Sequence, residues 1–393
     1  MITLNDDRAA AALRQAGSIA RTTTGPGPVL FHRCPRAAPR RHELESKSAV
    51  ARAVASLMGR QYGGDFEPAQ IYEGRPYFVP SETLVAGSMP AGLRCEGLED
   101  LLGGVVPHAF VATKALTHGL LDRAADAPPG WVDAFAERVG DAVLPGLTAF
   151  SRGDALRAGE RMMADGPVRL KQPEGVGGRG QQVVADGRAL AAAIDSMDRE
   201  TLEHEGLVIE RDLEDVVTAS VGRVCIGDFV LTYCGTQSLT RAHDGGQVYG
   251  GSRLLVARGD WDRLLGLPRL APAMRTAIAQ ARRYHDAAHH CYHDLFASRS
   301  NYDVAQGLDR ATGARRSGVL EQSWRIGGAS GAEVVALEAL RADPSLAAVA
   351  AETVERYGPE HEPPAGALVL FHGDDPDCGP LLKYARIVGN AGC

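Results

Sequence analysis

Apolar residues fall along this chain in two patterns. In some stretches they recur every three to four positions, the period of a helix with one buried face. In others they form short runs bounded by Gly, Pro, Asn or Asp, as strands do. Read this way, the chain opens with a helix over 5–16 capped by Asn5. Gly25-Pro26-Gly27-Pro28 ends it, and a strand follows at 29–32. A helix over 46–58, starting at Ser46 and stopping at Gly59, and a strand at 77–80 complete a βαβ-like unit to about residue 105. Residues 106–150 read as helical, interrupted at Pro128-Pro129-Gly130. Ser151 is an N-cap for a helix through Met163. Strands at 168–171 and 183–184, a helix over 187–196 and a strand at 207–210 come next. Alternation over 215–237 predicts two antiparallel strands turning at Gly227-Asp228. A glycine-rich loop spans 244–251, and a long helix runs over 272–295. Strands near 302–304 and 319–321 flank a turn at Thr312-Gly313. An Ala-rich helix over 332–355 and a strand at 367–371 close the chain.

At about 150 residues per domain, 393 residues suggest two or three units. We expect them at 1–105, 106–213 and 214–393. Hydrophobic residues are 45% and charged residues 23%, the balance of a soluble globular chain. Forty-two Lys and Arg against 49 Asp and Glu leave a net charge of −7, which argues against nucleic acid or anionic membrane as partner. No run approaches the ~18 apolar residues of a membrane span. The polar, acidic start lacks the basic and apolar regions of a signal peptide, so a cytoplasmic location is expected. The 7 cysteines are odd in number and scattered, with no C-x-x-C pair. Neither a disulfide framework nor a structural zinc site is expected from that spacing.

The densest chemistry lies between Leu170 and Gln181. A strand delivers Lys171, then Gly175, Gly177, Gly178 and Gly180 follow within six residues. Glycines let a loop lie against a ligand and turn several N–H groups toward one anion, and an ammonium beside them suits phosphate. In the Walker loop Lys follows the glycines and opens a helix; here it precedes them. Farther on, alternation puts Glu321, Ser323 and Arg325 on one strand face, with Asp303 on the neighbouring strand. Two carboxylates and a hydroxyl could hold Mg2+, which asks for one or two carboxylates plus phosphate oxygens and water. Only four lysines occur in the chain, and Lys47 and Lys383 stand in no comparable context. His285, His289 and His293 are spaced as a helical stripe, for which a partly exposed helix face is a simpler reading than a metal site.

In order and spacing, Lys114, Lys171 with its glycine loop, Glu210-Arg211-Asp212-Leu213, Asp303, Glu321 and Arg325 resemble the ATP-grasp superfamily over roughly 106–335. Leu144-Pro145-Gly146 is similar to the entry of that module's first subdomain. The resemblance implies an α/β chain of ATP-grasp fold, a Rossmann-like N-terminal region preceding two α+β subdomains that clasp ATP. Lys114 and Lys171 would hold phosphates, and Glu210, with backbone groups of Arg211 and Leu213, would hold adenine. Glu214 or Asp215 would meet the ribose, and Asp303, Glu321 and Ser323 the magnesium. Arg325 would face an acylphosphate, and Arg253, or Arg241, in the loop before it would contact phosphate or substrate. Three positions depart from the family pattern: Thr113 replaces an acidic residue, Ser323 an Asn and Trp324 a Pro. The implied activity is an ATP- and Mg2+-dependent ligase joining a small-molecule carboxylate to an amine, compatible with a homodimer. A small-molecule kinase or a non-catalytic nucleotide-binding module are the alternatives.

Overall fold

A computed structural model describes residues 25–35, 40–175, 180–243 and 245–390. The helix expected over 5–16 lies outside the described residues. The strands are β1 (Pro26–His32), β2 (Tyr62–Asp65), β3 (Arg75–Pro80), β4 (Leu84–Val85), β5 (Gly104–Val106), β6 (Gly146–Ala149), β7 (Val168–Lys171), β8 (Gln181–Val184) and β9 (Leu207–Arg211). Next come β10 (Leu213–Ile226), β11 (Phe229–Arg241), β12 (Gln247–Arg258), β13 (Phe296–Ala297), β14 (Arg299–Asp309), β15 (Arg315–Ser323), β16 (Ala348–Tyr357), β17 (Leu368–Asp375) and β18 (Gly379–Asn390). The helices are α1 (Arg41–Met58), α2 (Asp133–Val139), α3 (Arg152–Met163), α4 (Gly187–Asp195), α5 (Arg199–Glu205), α6 (Trp261–Leu265), α7 (Pro272–Cys291) and α8 (Ser330–Ala342).

β1 lies between β2 and β3 in a parallel sheet, with α1 as the crossover, the βαβ unit expected from the pattern. α1 starts at Arg41, not Ser46. Its first turn has no local side-chain cap. Instead Asp375, 333 positions away, accepts the His42 N–H at 2.8 Å. A cap supplied by tertiary structure leaves no trace in local sequence.

The stretch 106–150 is not the long helix its composition suggested. It holds short 3-10 turns at Ala109–Ala112 and Lys114–Thr117, then α2 and β6. Phe110, Val111, Leu116, Phe135 and Val139 bury individually under α7, so no continuous helical stripe is needed. β6, β9, β7 and β8 form an antiparallel sheet in that order, backed by Ala155 and Ala158 of α3 and Leu190 and Ile194 of α4. Ser151 caps α3 as expected, its Oγ accepting the Asp154 N–H.

An eight-stranded antiparallel sheet, β15-β14-β10-β11-β12-β16-β18-β17, forms the second lobe. Alternate residues face two cores. Val224, Tyr233, Leu254 and Val256 pack with α1 and α8, while Val221, Cys234 and Ala257 pack with α7. Two expectations fail here. The glycine-rich 244–251 stretch belongs largely to β12, which is strand from Gln247 onward. Gly251 (φ +139°) brings β12 so near β16 that a Cβ would overlap the Thr353 carbonyl oxygen. The 332–355 helix stops at Ala342, before Asp343-Pro344, and Ala348–Tyr357 is strand β16. Alanine's helix preference loses to central placement in the sheet, where small side chains let α8 pack closely.

Candidate active site

Lys171 ends β7, and the glycine loop is the tip of the β7–β8 hairpin, closed by the Gln172 N–H to the Gly180 carbonyl at 3.0 Å. Gly180 has φ +70°, and a Cβ there would meet the Gln172 amide oxygen at 2.6 Å. Gly177 and Gly178 lie outside the described residues. Lys171 turns inward rather than toward solvent. Its Nζ sits 2.5 Å from Glu210 Oε1, and Glu210 Oε2 sits 3.1 Å from His118 Nε2. All three side chains are buried. Burial pushes the Glu210 carboxyl up, but Lys171 and His118 pull it below its ordinary value. Gly146, in the Leu144-Pro145-Gly146 entry, makes room for this triad, since a Cβ would lie 2.6 Å from the His118 ring.

Glu210 to Leu213 joins the two lobes, running from β9 into β10. Arg211's N–H donates to the Pro145 carbonyl at 2.9 Å, so that donor is not free for a base. Its guanidinium is buried near Asp309 (3.8 Å) and Asp165 (3.3 Å). Leu213 is buried and pairs with Asp309. Asp215 is exposed with φ +51°, and the ion pairs at this end belong to Glu214 with Arg310 (3.4 Å) and Asp212 with Arg169 (2.7 Å).

Asp303 and Glu321 are cross-strand partners on β14 and β15. Gln237 and the Asn301 amide each donate to Asp303 Oδ1 at 2.9 Å. Glu321 Oε2 lies 2.8 Å from Lys114 Nζ, which also donates to the Gly175 carbonyl of the glycine loop. Lys114 thus bridges the tip of one lobe to the acidic pair of the other. Burial, and then the Glu321 carboxylate, push the Asp303 carboxyl up to about 6. Ser323 stands opposite Asn301. The Asn301 amide oxygen already accepts from Ser220 (2.6 Å) and Tyr233 (2.9 Å), so this Asn orients Asp303 rather than replacing the family's missing amide ligand.

Arg325 lies just beyond β15, its Nε 2.9 Å from Glu82. Lys47 of α1 reaches the same carboxylate at 3.1 Å, so this lysine stands beside the acidic strands after all. Buried Arg299 holds the carbonyls of Ser323 and Arg325 and is itself held by Glu333 at 2.7 Å, which fixes the segment presenting Arg325. Lys383 is buried against Glu355 at 2.8 Å.

Arg253 is not gathered into this group. It pairs in register with Thr236 and Glu352 and is exposed. By alternation it shares a face with Leu255, which packs on the α7 side, opposite the Asp303–Glu321 face. The histidine stripe is also broken. His285 bonds Tyr302 OH at 2.9 Å and His289 bonds the His285 carbonyl at 3.0 Å, whereas His293 lies past the end of α7.

His118, Glu82, Lys47, Gln237 and Asn301 were not found from the sequence. The first four are single polar residues whose partners come from other elements, while Asn301 stands two residues before Asp303 on β14, a strand alternation that was its signal. For His118 the feature nearest to a signal was the Pro-Gly at 145–146, whose glycine the His118 ring requires.

No curated protein matches the sequence at a significant level. Among solved structures the chain is similar to pyruvate carboxylase of Rhizobium etli (TM-score 0.50, 14% identity, covering 93% of this chain and 36% of that one). It also matches the biotin carboxylase domain dimer of Hydrogenobacter thermophilus 2-oxoglutarate carboxylase, solved with MgADP, ADP and bicarbonate (TM-score 0.45, 14% identity, 74% of this chain and 65% of that one). N5-carboxyaminoimidazole synthetase of Staphylococcus aureus with ADP is similar at TM-score 0.45 and 12% identity, over 93% and 95% of the two chains. The chain therefore spans 65% of the carboxylase domain's length and 36% of pyruvate carboxylase. The likeness at TM-score 0.50 shows an ATP-grasp-like α+β fold. Among the described residues no helix is long and apolar enough to cross a membrane. A family model matches residues 30–385, and on that match this chain belongs to DUF3182, described as a protein of unknown function.

Proposed function

We propose that this chain is an ATP- and Mg2+-dependent ligase that activates a small-molecule carboxylate and passes it to an amine or similar nucleophile. The observation that carries the reading is Lys114 reaching both the Gly175 carbonyl of the glycine hairpin and Glu321, the cross-strand partner of Asp303 in the large sheet. The lobes at 106–213 and 214–393 would clasp ATP between them. Two facing carboxylates, one pushed up to about 6 by burial and then by the other's charge, are a donor set that suits Mg2+. When bound, the ion would neutralise developing charge on the transferring phosphoryl group. Lys171 and Lys114 would bind phosphate oxygens, with Lys114 exchanging Glu321 for phosphate as Glu321 turns to the ion. Glu210, held in turn by His118, would keep Lys171 aimed. The substrate carboxylate attacks the γ-phosphorus, the bond to ADP breaks, and Arg325 would face the acylphosphate oxygens until the amine displaces phosphate.

Mg·ATP is expected to raise the melting temperature where NAD and GTP do not. At 100-fold over Kd the linkage is worth about 2.7 kcal/mol. A panel in which NAD shifts the midpoint and ATP does not overturns the reading. Given binding, ADP release that depends on an acceptor but yields no acyl product assigns the cleft to a kinase instead.

A second expectation concerns pH. Asp303 titrates above its ordinary value, so its neutral form is the one the ligand-free fold favours. That contribution to stability is complete below an ordinary carboxyl's range and is lost as pH rises through about 6. Mg2+ needs the ionised form. Its apparent affinity should fall about tenfold per unit as pH drops below about 6. Mg2+ titrations of nucleotide binding between about pH 5 and 7 read this directly. A midpoint unchanged across that range removes Asp303 from the metal site.

A further inference from the structure

Outside the cleft, a group of potential metal-ligating side chains gathers where the N-terminal unit meets the last hairpin. His42 is in the first turn of α1, Asp375 ends β17, and Cys378 lies in the turn before Gly379 starts β18. Asp375 organises the turn. Its Oδ1 accepts the N–H groups of Asp377 (3.0 Å) and Cys378 (3.2 Å) and the Cys378 thiol (3.3 Å), and its Oδ2 accepts the His42 N–H (2.8 Å). The imidazole of His42 has no such explanation. It is 3% exposed, its ring stands edge-on to Phe371, and among the described residues neither Nδ1 nor Nε2 has a hydrogen-bond partner. A buried polar ring with both nitrogens unpaired is unfavourable unless something else binds it. One ligand atom from each of His42, Asp375 and Cys378 lies within 4.8 Å of the others.

We propose that His42, Asp375 and Cys378 form a binding site for a borderline-soft divalent metal, Zn2+ by its chemistry. Imidazole nitrogen, thiolate sulfur and carboxylate oxygen together are a zinc donor set, whereas Mg2+ and Ca2+ take oxygen alone. Zinc bonds of about 2.0–2.3 Å require the ligand atoms to close to under 4 Å apart, a side-chain adjustment of about 1 Å. Cys378 is only half-buried, so solvent reaches the site and water can complete the tetrahedron. Binding releases the Cys378 thiol proton to solvent and displaces its bond to Asp375.

The place in the fold suggests what the metal does. It would tie the first turn of α1 to the β17–β18 hairpin at the outer edge of the large sheet. Lys47 is five residues on, about 7.5 Å along the helix axis, and reaches the Glu82 carboxylate that also binds Arg325. The metal would therefore act as a clasp that holds α1 in position beside the cleft. The spacing of cysteines argued against such a site because its three ligands lie at residues 42, 375 and 378, and only the fold unites them.

The test uses the full-length protein, stripped with chelator and titrated with Co2+ and then Zn2+. One equivalent per chain is expected, with a thiolate-to-Co2+ charge-transfer band that Zn2+ bleaches. Cys378→Ser should abolish the band. His42→Ala keeps the backbone bond to Asp375 and should weaken Zn2+ by at least about tenfold. Glu321→Gln, in the oxygen-only cleft, should leave the band unchanged. Wild-type protein that takes up no stoichiometric Zn2+ overturns the proposal. So does a band that survives Cys378→Ser, or His42→Ala binding Zn2+ as tightly as wild type.

Discussion

Lys171→Met is expected to lose both stability and ATP-dependent turnover, and Lys171→Arg to lose turnover with much less loss of stability. Lys171 Nζ is 2.5 Å from Glu210, and both side chains are almost fully buried. Removing the ammonium leaves a buried carboxylate whose hydrogen bond to the His118 ring remains. Breaking such a pair typically costs about 3–5 kcal/mol. Because Lys171 helps hold Glu210 below its ordinary value, the pair stabilises the fold above that value and is lost as pH falls through the depressed one. Lys171→Met should therefore flatten the acid limb of the stability curve. Arginine keeps the charge, but its planar fork is larger than the ammonium and demands different geometry at the base of the glycine hairpin. Without the ammonium's bond to phosphate in a closed cleft, transition-state stabilisation should drop by about 2–4 kcal/mol, roughly 30- to 1000-fold in kcat/KM. Thermal melts and kcat/KM for ATP in the two variants separate the effects. A Lys171→Arg protein within about threefold of wild type would mean that this hairpin does not cradle phosphate.

Glu321→Gln is expected to abolish turnover while the protein stays folded. The side chain is 34% exposed and the Gln amide oxygen can still accept from Lys114, so stability should change little. The loss of a charged ligand facing the phosphates should reduce kcat by roughly 100- to 1000-fold. A second readout accompanies it. Glu321 is the charge that, after burial, holds Asp303 up at about 6, so Asp303 should titrate lower in the variant. The pH dependence of Mg2+ binding would then move toward acid. Ser323→Asn should be tolerated, because Ser323 is only half-buried opposite Asn301. Wild-type turnover in Glu321→Gln at saturating ATP would show that this strand pair does not hold the metal.

Features made by neighbouring residues were legible from the sequence alone. The Ser151 cap, the turn at Gly227-Asp228 and the Lys171 hairpin with its glycines each depend on a few consecutive residues. The facing of Asp303 and Glu321 follows from strand alternation and a single turn. Those features were enough to bring out the ATP-grasp resemblance. Tertiary structure decided everything that joins distant segments. It started α1 at Arg41 through Asp375, made a strand of the Ala-rich 348–357, and broke 106–150 into turns buried one residue at a time. It put Arg253 on the far face of the sheet and brought His118, Glu82 and Lys47 to residues with which they share no pattern. The reason is physical. Caps, turns and periodicity are properties of local backbone geometry, which a few adjacent side chains set. Which face is buried, and which polar group meets a partner there, depends on how separate layers pack, and that depends on the whole chain at once.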